Sequence, residues 1–321
     1  MFLKKRILYL ICLVYCATSV AFIQASFYGI VTHGSRGSAS SWYKPPVRGE
    51  ENFFSELAKS ASRQGVSELV SFSWSGDSGF PKSQEKSLQE HLRAAEDLAD
   101  LILKKAPDMP AFYLGHSNGG VIGILASHML YNPHHANGKN VVPLFEDFKK
   151  PLSRSDQVCR ALIQRAVLAR QSKFTAQDPQ IKIGQLILLA TPHNKFLYRA
   201  NMSVVGSVVA IFSPGDGVAK TFSQSSRMYA PTKNGLNLRV TLKEQNGAKI
   251  QPWHTGLMTI SVARSVLTLL QDAVKKFHFN RHNLDKVLGV DVLINADGSV
   301  PSMSVIKNVN RIAFKPKGHG L

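Results

Sequence analysis

The sequence predicts an α/β fold with a mainly parallel central sheet and helices on both faces. Short apolar runs alternate along the chain with longer amphipathic stretches, the order that builds such a sheet. Several short runs, such as "LILLA" and "VVAIF", are apolar without a break, as strands covered on both faces are. The longer stretches repeat their apolar residues at helical spacing. Neither an internal repeat nor a low-complexity tract interrupts the pattern.

Residues 27–32 read as the first strand, ending at "HGSRGS". Residues 50–64 read as a helix, with apolar positions at 53, 54, 57, 58 and 61. A strand follows at 68–74, then the loop "SGDSGFPKS". A long helix comes next, with Leu88, Leu92, Ala95, Leu98, Leu101 and Ile102 on one stripe and Pro107 to stop it. Residues 111–115 form a strand and 118–130 a helix. A long polar insertion, 131–180, holds one helix around "QVCRALIQRAVLAR". Strands are expected at 185–192, 207–214 and 237–242, and the last main helix at 255–276. Beyond 278, strand-like alternation flanks Asp297-Gly298, a hairpin signal. This hairpin is expected as an appendage over 278–321, closing in the basic tail "KPKGHGL".

With 321 residues and 44% hydrophobic content, the chain can bury one large core. A formal charge of +18 favours anionic surroundings such as a membrane or cell-wall surface. The basic residues are scattered and no nucleic-acid recognition signature appears, so the charge reads as a solvated surface. At the N-terminus, Lys4, Lys5 and Arg6 precede an uncharged run over 7–23, with small residues at Ser19 and Ala21. Residues 1–26 thus have the layout of a cleaved secretory signal. The alternative is a retained membrane anchor, at the short limit for a span. The first strand follows almost at once, which favours cleavage and export. Cys12 and Cys16 would leave with the signal, and Cys159 alone could form no intramolecular disulfide. No zinc spacing, HExxH, EF-hand, GxGxxG or P-loop pattern appears, so neither metal nor cofactor is expected.

The stretch "FYLGHSNGGVIGIL" carries the chemistry. Ser117 lies in Gly115-x-Ser117-x-Gly119, after a strand and before a helix. A corner that sharp strains the serine backbone and leaves no room for neighbouring side chains, hence the glycines. A serine hydroxyl attacks well only when a histidine takes its proton, and that histidine needs an acid to orient it. For a serine so placed the chain order is serine, acid, histidine, each beyond the carboxyl end of a strand. Asp216 in "SPGDGV" and His254 in "WHTGL" meet that order. Asp178 also precedes His254, but it stands before a strand and not after one. His91 and His128 fall in helices, His134 and His135 in the insertion, and His278, His282 and His319 after the last helix. Two backbone N–H groups must face the developing oxyanion. Asn118, next to the nucleophile, and Ser35, after His33-Gly34, are the candidates.

Taken together, "HGSRG", "GHSNGG", "LLATPH", "SPGDGV" and "HTGL" resemble the α/β-hydrolase superfamily, of the lipase/esterase kind, over residues 27–277. The resemblance implies a serine hydrolase acting on carboxylic esters, with Ser117 as nucleophile, Asp216 as acid and His254 as base. It implies that His116 packs beneath the elbow and that His193 supports the site. Arg36 departs from the third glycine common in esterases, and the C-terminal hairpin has no counterpart in the common core. An amidase, peptidase or acyltransferase would use the same triad, and a binding protein on a hydrolase scaffold is the non-catalytic alternative. Trp42, Trp74 and Trp253 adjoin the motifs and could line an apolar pocket. The insertion 131–180 should lie away from Ser117, whereas the loop around Phe196-Leu197-Tyr198 is placed to cover it.

Overall fold

Nine strands form one mostly parallel sheet in a computed structural model of the chain, which describes residues 28–34, 51–74, 84–105, 111–135, 153–178, 180–181, 183–192, 200–218, 235–276 and 288–306. The signal segment 1–26, Ser35, Arg36, Trp42, the loop of Phe196 and Tyr198, His193 and the basic tail lie outside the described residues.

The strands are β1 (Tyr28–Thr32), β2 (Glu68–Phe72), β3 (Ala111–His116), β4 (Ile183–Leu189), β5 (Val205–Phe212), β6 (Gly235–Lys243), β7 (Lys249–Ile250), β8 (Leu288–Asn295) and β9 (Ser302–Val305). Their order across the sheet is β2-β1-β3-β4-β5-β6-β8-β9, with β7 paired to β6. The pairs from β2 through β8 along this path are parallel, and only β7 and β9 run antiparallel to their neighbours. All the parallel strands therefore end at one edge. The chain moves from β1 outward to β2, then returns to place β3 on the other flank of β1. That reversal makes a crevice between the ends of β1 and β3.

The described helices are α1 (Phe53–Arg63), α2 (Gln84–Lys105), α3 (Asn118–Met129), α4 (Arg154–Gln171) and α5 (Ile260–Lys276). Alternation along the strands divides the core into two layers. Ile30, Tyr113, Leu186, Leu188 and Val208 pack with α2, α3 and α4, while Val31, Leu114, Ile187, Leu189 and Val209 pack with α1 and α5. Each large apolar side chain buried this way contributes roughly 1.5–3 kcal/mol. α1 begins at a capping box, in which Asn52 Oδ1 accepts from Ser55 N–H and Ser55 Oγ accepts from Asn52 N–H. Arg264 of α5 donates to buried Glu56 of α1 at 2.7 Å, tying these helices together.

Three sequence expectations change. The hairpin is no appendage: β8 pairs with β6 over eight residues, from Leu236↔Leu288 to Lys243↔Asn295. Val290, Val292 and Ile294 are buried in the layer of α1 and α5, so the apolar face of β8 completes the core. β4 stops at Leu189, three residues short of the expected end, because Ala190 turns to φ 51°. The last helix is divided: a 3-10 turn over His254–Leu257 precedes α5, with Gly256 and Met258 donating to carbonyls three residues back.

The insertion begins where α3 ends and returns to the amino end of β4. Its two ends are stapled there by buried Asn132, whose Nδ2 donates to the carbonyls of Thr175 and Asp178 at 2.9 Å each. Cys159, Ile163 and Val167 of α4 pack into the core beside α2 and α3. The described ends of the insertion thus stand at the sheet edge opposite Ser117.

Candidate active site

Ser117 sits at the turn between β3 and α3 with φ 54° and ψ −128°. Few non-glycine residues adopt positive φ, and the strain is of order 1–3 kcal/mol. Packing on every side enforces it. The Ser117 N–H donates to Leu189 O at 2.9 Å, extending the β3–β4 ladder one residue past the strand. A side-chain carbon on Gly115 would come within 2.4–2.5 Å of the Gly119–Gly120 backbone. One on Gly119 would stand 2.6 Å from His33 O and 2.7 Å from Thr32 O. The two glycines of the motif are therefore required by close backbone approach. α3 itself is buried from Gly119 to Met129, so the corner is built into the core.

A serine before a helix commonly caps it by accepting from the first turn. Ser117 makes no such bond. Its Oγ–H donates instead to His254 Nε2 at 2.8 Å, and His254 Nδ1–H donates to Asp216 Oδ2 at 2.9 Å. The carboxylate can only accept, which fixes the imidazole tautomer with its proton on Nδ1 and its lone pair toward Ser117. All three residues are buried, and Asp216 is 0% exposed. Asp216 is delivered by a turn beyond β5, in which its N–H donates to Ser213 O at 3.1 Å and Gly215 N–H donates to Ser213 Oγ at 3.1 Å. His254 arrives through the β6–β7 hairpin and heads the 3-10 turn.

Of the predicted site residues, the structure brings together Ser117, Asp216 and His254. Asn118 is the first residue of α3, directly after Ser117. Ser35 lies outside the described residues, but its neighbour Gly34 packs on the site: a side-chain carbon there would stand 2.5 Å from Ser117 Cβ and 3.1 Å from Oγ. Asp178 has a different task. Its Oδ2 accepts from Thr175 N–H at 2.7 Å and Thr175 Oγ at 2.9 Å, closing the turn before β4. These bonds hold its carboxyl below the usual range.

Two further histidines adjoin the triad and are held neutral. Burial, together with the neighbouring His254, pushes His116 down to about 3. Its Nε2–H donates to the His254 carbonyl at 3.3 Å, and the two rings stand 5.0 Å apart. Burial also lowers His33, whose Nδ1–H donates to Gly34 O at 2.7 Å. Three supports of the elbow were not legible beforehand. Tyr113 Oη–H donates to Gly119 O at 2.5 Å, Ala190 takes its left-handed turn beside Ser117, and Trp74 donates to the loop after β1. In the sequence Tyr113 is only one residue of the strand 111–115, and nothing there marks Ala190. Trp253, the residue before His254, is 58% exposed, with its ring over Gly217 in the loop of Asp216.

Among the described residues, no group of three or more His, Cys, Asp or Glu side chains is arranged to hold a metal ion, and no helix is long and apolar enough to cross a membrane. Comparison with models of protein families gives no match, and neither does comparison with curated proteins.

Proposed function

We propose that the chain is a serine hydrolase of the α/β-hydrolase fold that cleaves carboxylic esters through an acyl-enzyme on Ser117. One observation carries the reading: the hydrogen-bonded line from Asp216 through His254 to a serine held in a strained strand-to-helix turn. A serine, a histidine and an acid so oriented form the constellation used for acyl transfer. Its location supports the same reading, at the carboxyl edge of the sheet beside the β1–β3 reversal.

In the proposed mechanism Ser117 Oγ attacks the acyl carbonyl carbon while His254 Nε2 takes the hydroxyl proton. Asp216 stabilises the resulting imidazolium without taking its proton. The tetrahedral oxyanion is held by backbone N–H groups of Asn118 and Ser35. Collapse breaks the bond to the alcohol, which leaves with the proton from His254. Water then gives a proton to the same nitrogen, attacks the acyl-enzyme, and releases the acid with Ser117 restored. We also propose that residues 1–26 direct export, and that the basic surface favours anionic surroundings.

A fluorophosphonate probe should label the peptide containing Ser117, and p-nitrophenyl esters of rising chain length should report the acyl preference. Ser117→Ala should lower kcat by about 10⁴- to 10⁶-fold with the fold retained. A label on another serine, or an active Ser117→Ala enzyme, would overturn the assignment.

A further inference from the structure

We infer that Trp74 is a positioning residue that holds the loop after β1 against the nucleophile, so that its loss lowers turnover more than it lowers substrate binding. The inference rests on the serine-hydrolase reading above, in which that loop supplies one oxyanion donor.

Trp74 follows β2 by two residues and lies 41 residues from His33 in the chain, yet its Nε1–H donates to His33 O at 3.1 Å. A buried indole N–H needs an acceptor, and here the acceptor is loop backbone. The Trp74 ring also stacks on the His33 ring, with centroids 5.8 Å apart and planes 15° from parallel. His91 of α2 also meets Trp74 edge-on, with ring centroids 5.4 Å apart. The group it holds sits at a critical place. His33 O is the atom nearest to where a side chain on Gly119 would begin, and Gly34 is pressed against Ser117. A shift in His33 would therefore carry Gly34 away from the nucleophile and change the approach of the following N–H. Oxyanion donors act through placement toward charge that develops only in the transition state. A placement error should thus appear in kcat before it appears in KM.

Two variants separate positioning from packing. Trp74→Phe keeps much of the ring volume and removes the N–H. Trp74→His removes more volume, but its Nε2 occupies the same place on a five-membered ring as indole Nε1 and can still donate. Rates are taken per site titrated with the fluorophosphonate probe, so a partly folded preparation still gives a value. Trp74→Phe should lose about 10- to 100-fold in kcat, below the loss for removing an oxyanion donor outright, with KM changed less than about threefold. An alkyl boronic acid, which forms a tetrahedral adduct on the serine, should weaken in step with kcat/KM. Trp74→His should turn over faster than Trp74→Phe while melting at a lower temperature, an inversion that packing alone does not produce. If wild type takes the probe on Ser117 and either Trp74→Phe matches its kcat per site or Trp74→His is no faster than Trp74→Phe, this inference fails alone. If wild type neither takes the probe on Ser117 nor hydrolyses esters, the hydrolase reading fails first.

Discussion

Lowering the pH from 6.5 to about 4.5 should cost the folded chain roughly 2 kcal/mol through His116 alone, since its folded value is about 3 against an ordinary 6.5. The sign follows from proton uptake. Below pH 6.5 the unfolded chain binds a proton at His116 that the folded chain refuses, because burial leaves a charged ring unsolvated and His254 repels it. The contribution is fully present above about pH 6.5 and is lost steadily as the pH falls toward about 3, at about 1.4 kcal/mol per unit. Two other groups weaken the fold over an acid range in the same direction. Burial lowers His33; at Glu56, hydrogen bonds from Lys59 and Arg264 outweigh the upward pull of burial. The measurement is therefore a difference. Urea unfolding of wild type and His116→Gln should be followed at half-unit steps between about pH 7 and pH 4. Glutamine has no titrating proton, and its Nε2 can still donate to the His254 carbonyl from the place of the imidazole Nε2; His33 and Glu56 are present in both proteins, so their contributions cancel in the difference. The wild-type curve should fall more steeply than the variant's, the difference in slope approaching about 1.4 kcal/mol per unit well below pH 6.5. Parallel curves would refute the reasoning, because they would mean that His116 takes up its proton in the folded chain and is open to water.

The remaining predictions concern the triad, the elbow and the N-terminus. Asp216→Asn should lose about 10⁴ in kcat with stability close to wild type, while Asp178→Asn, which loses only a turn contact, should keep full kcat; steady-state kinetics on a short ester with the reverse outcome would remove Asp216 from the triad. Gly119→Ala drives a carbon to 2.6–2.7 Å from two backbone oxygens that cannot rotate away. It should destabilise by at least about 1–3 kcal/mol and abolish probe labelling, read by urea unfolding and mass spectrometry; a stable, labelled Gly119→Ala would mean that the loop after β1 is not held on the elbow. Exported protein should begin near Phe22 on N-terminal sequencing, whereas an intact Met1 in the membrane fraction would establish an anchor.

What the sequence by itself determined is what local pattern encodes. Strand and helix periods follow from which side chains meet the core, so the order of the main elements was legible. The elbow was legible for the same reason: strand, Gly115, Ser117, Gly119 and helix are contiguous, and their steric demand is local. Asp216 and His254 stood out because each follows a strand whose carboxyl end could be read from its own residues. Pairing partners are not a local property. The alternation of Val290, Val292 and Ile294 suits an isolated hairpin as well as a strand beside β6, and only the sheet chose the second. Alanine has no preference for φ 51°, yet Ala190 adopts it where its N–H reaches Ile211 O and the chain must leave the β4 edge. Hydrogen bonds from Tyr113 to Gly119 and from Trp74 to His33 depend on where separate segments meet in space. Tertiary structure decided these contacts, because a donor's direction is set by the packing of the whole layer and not by its neighbours in the chain.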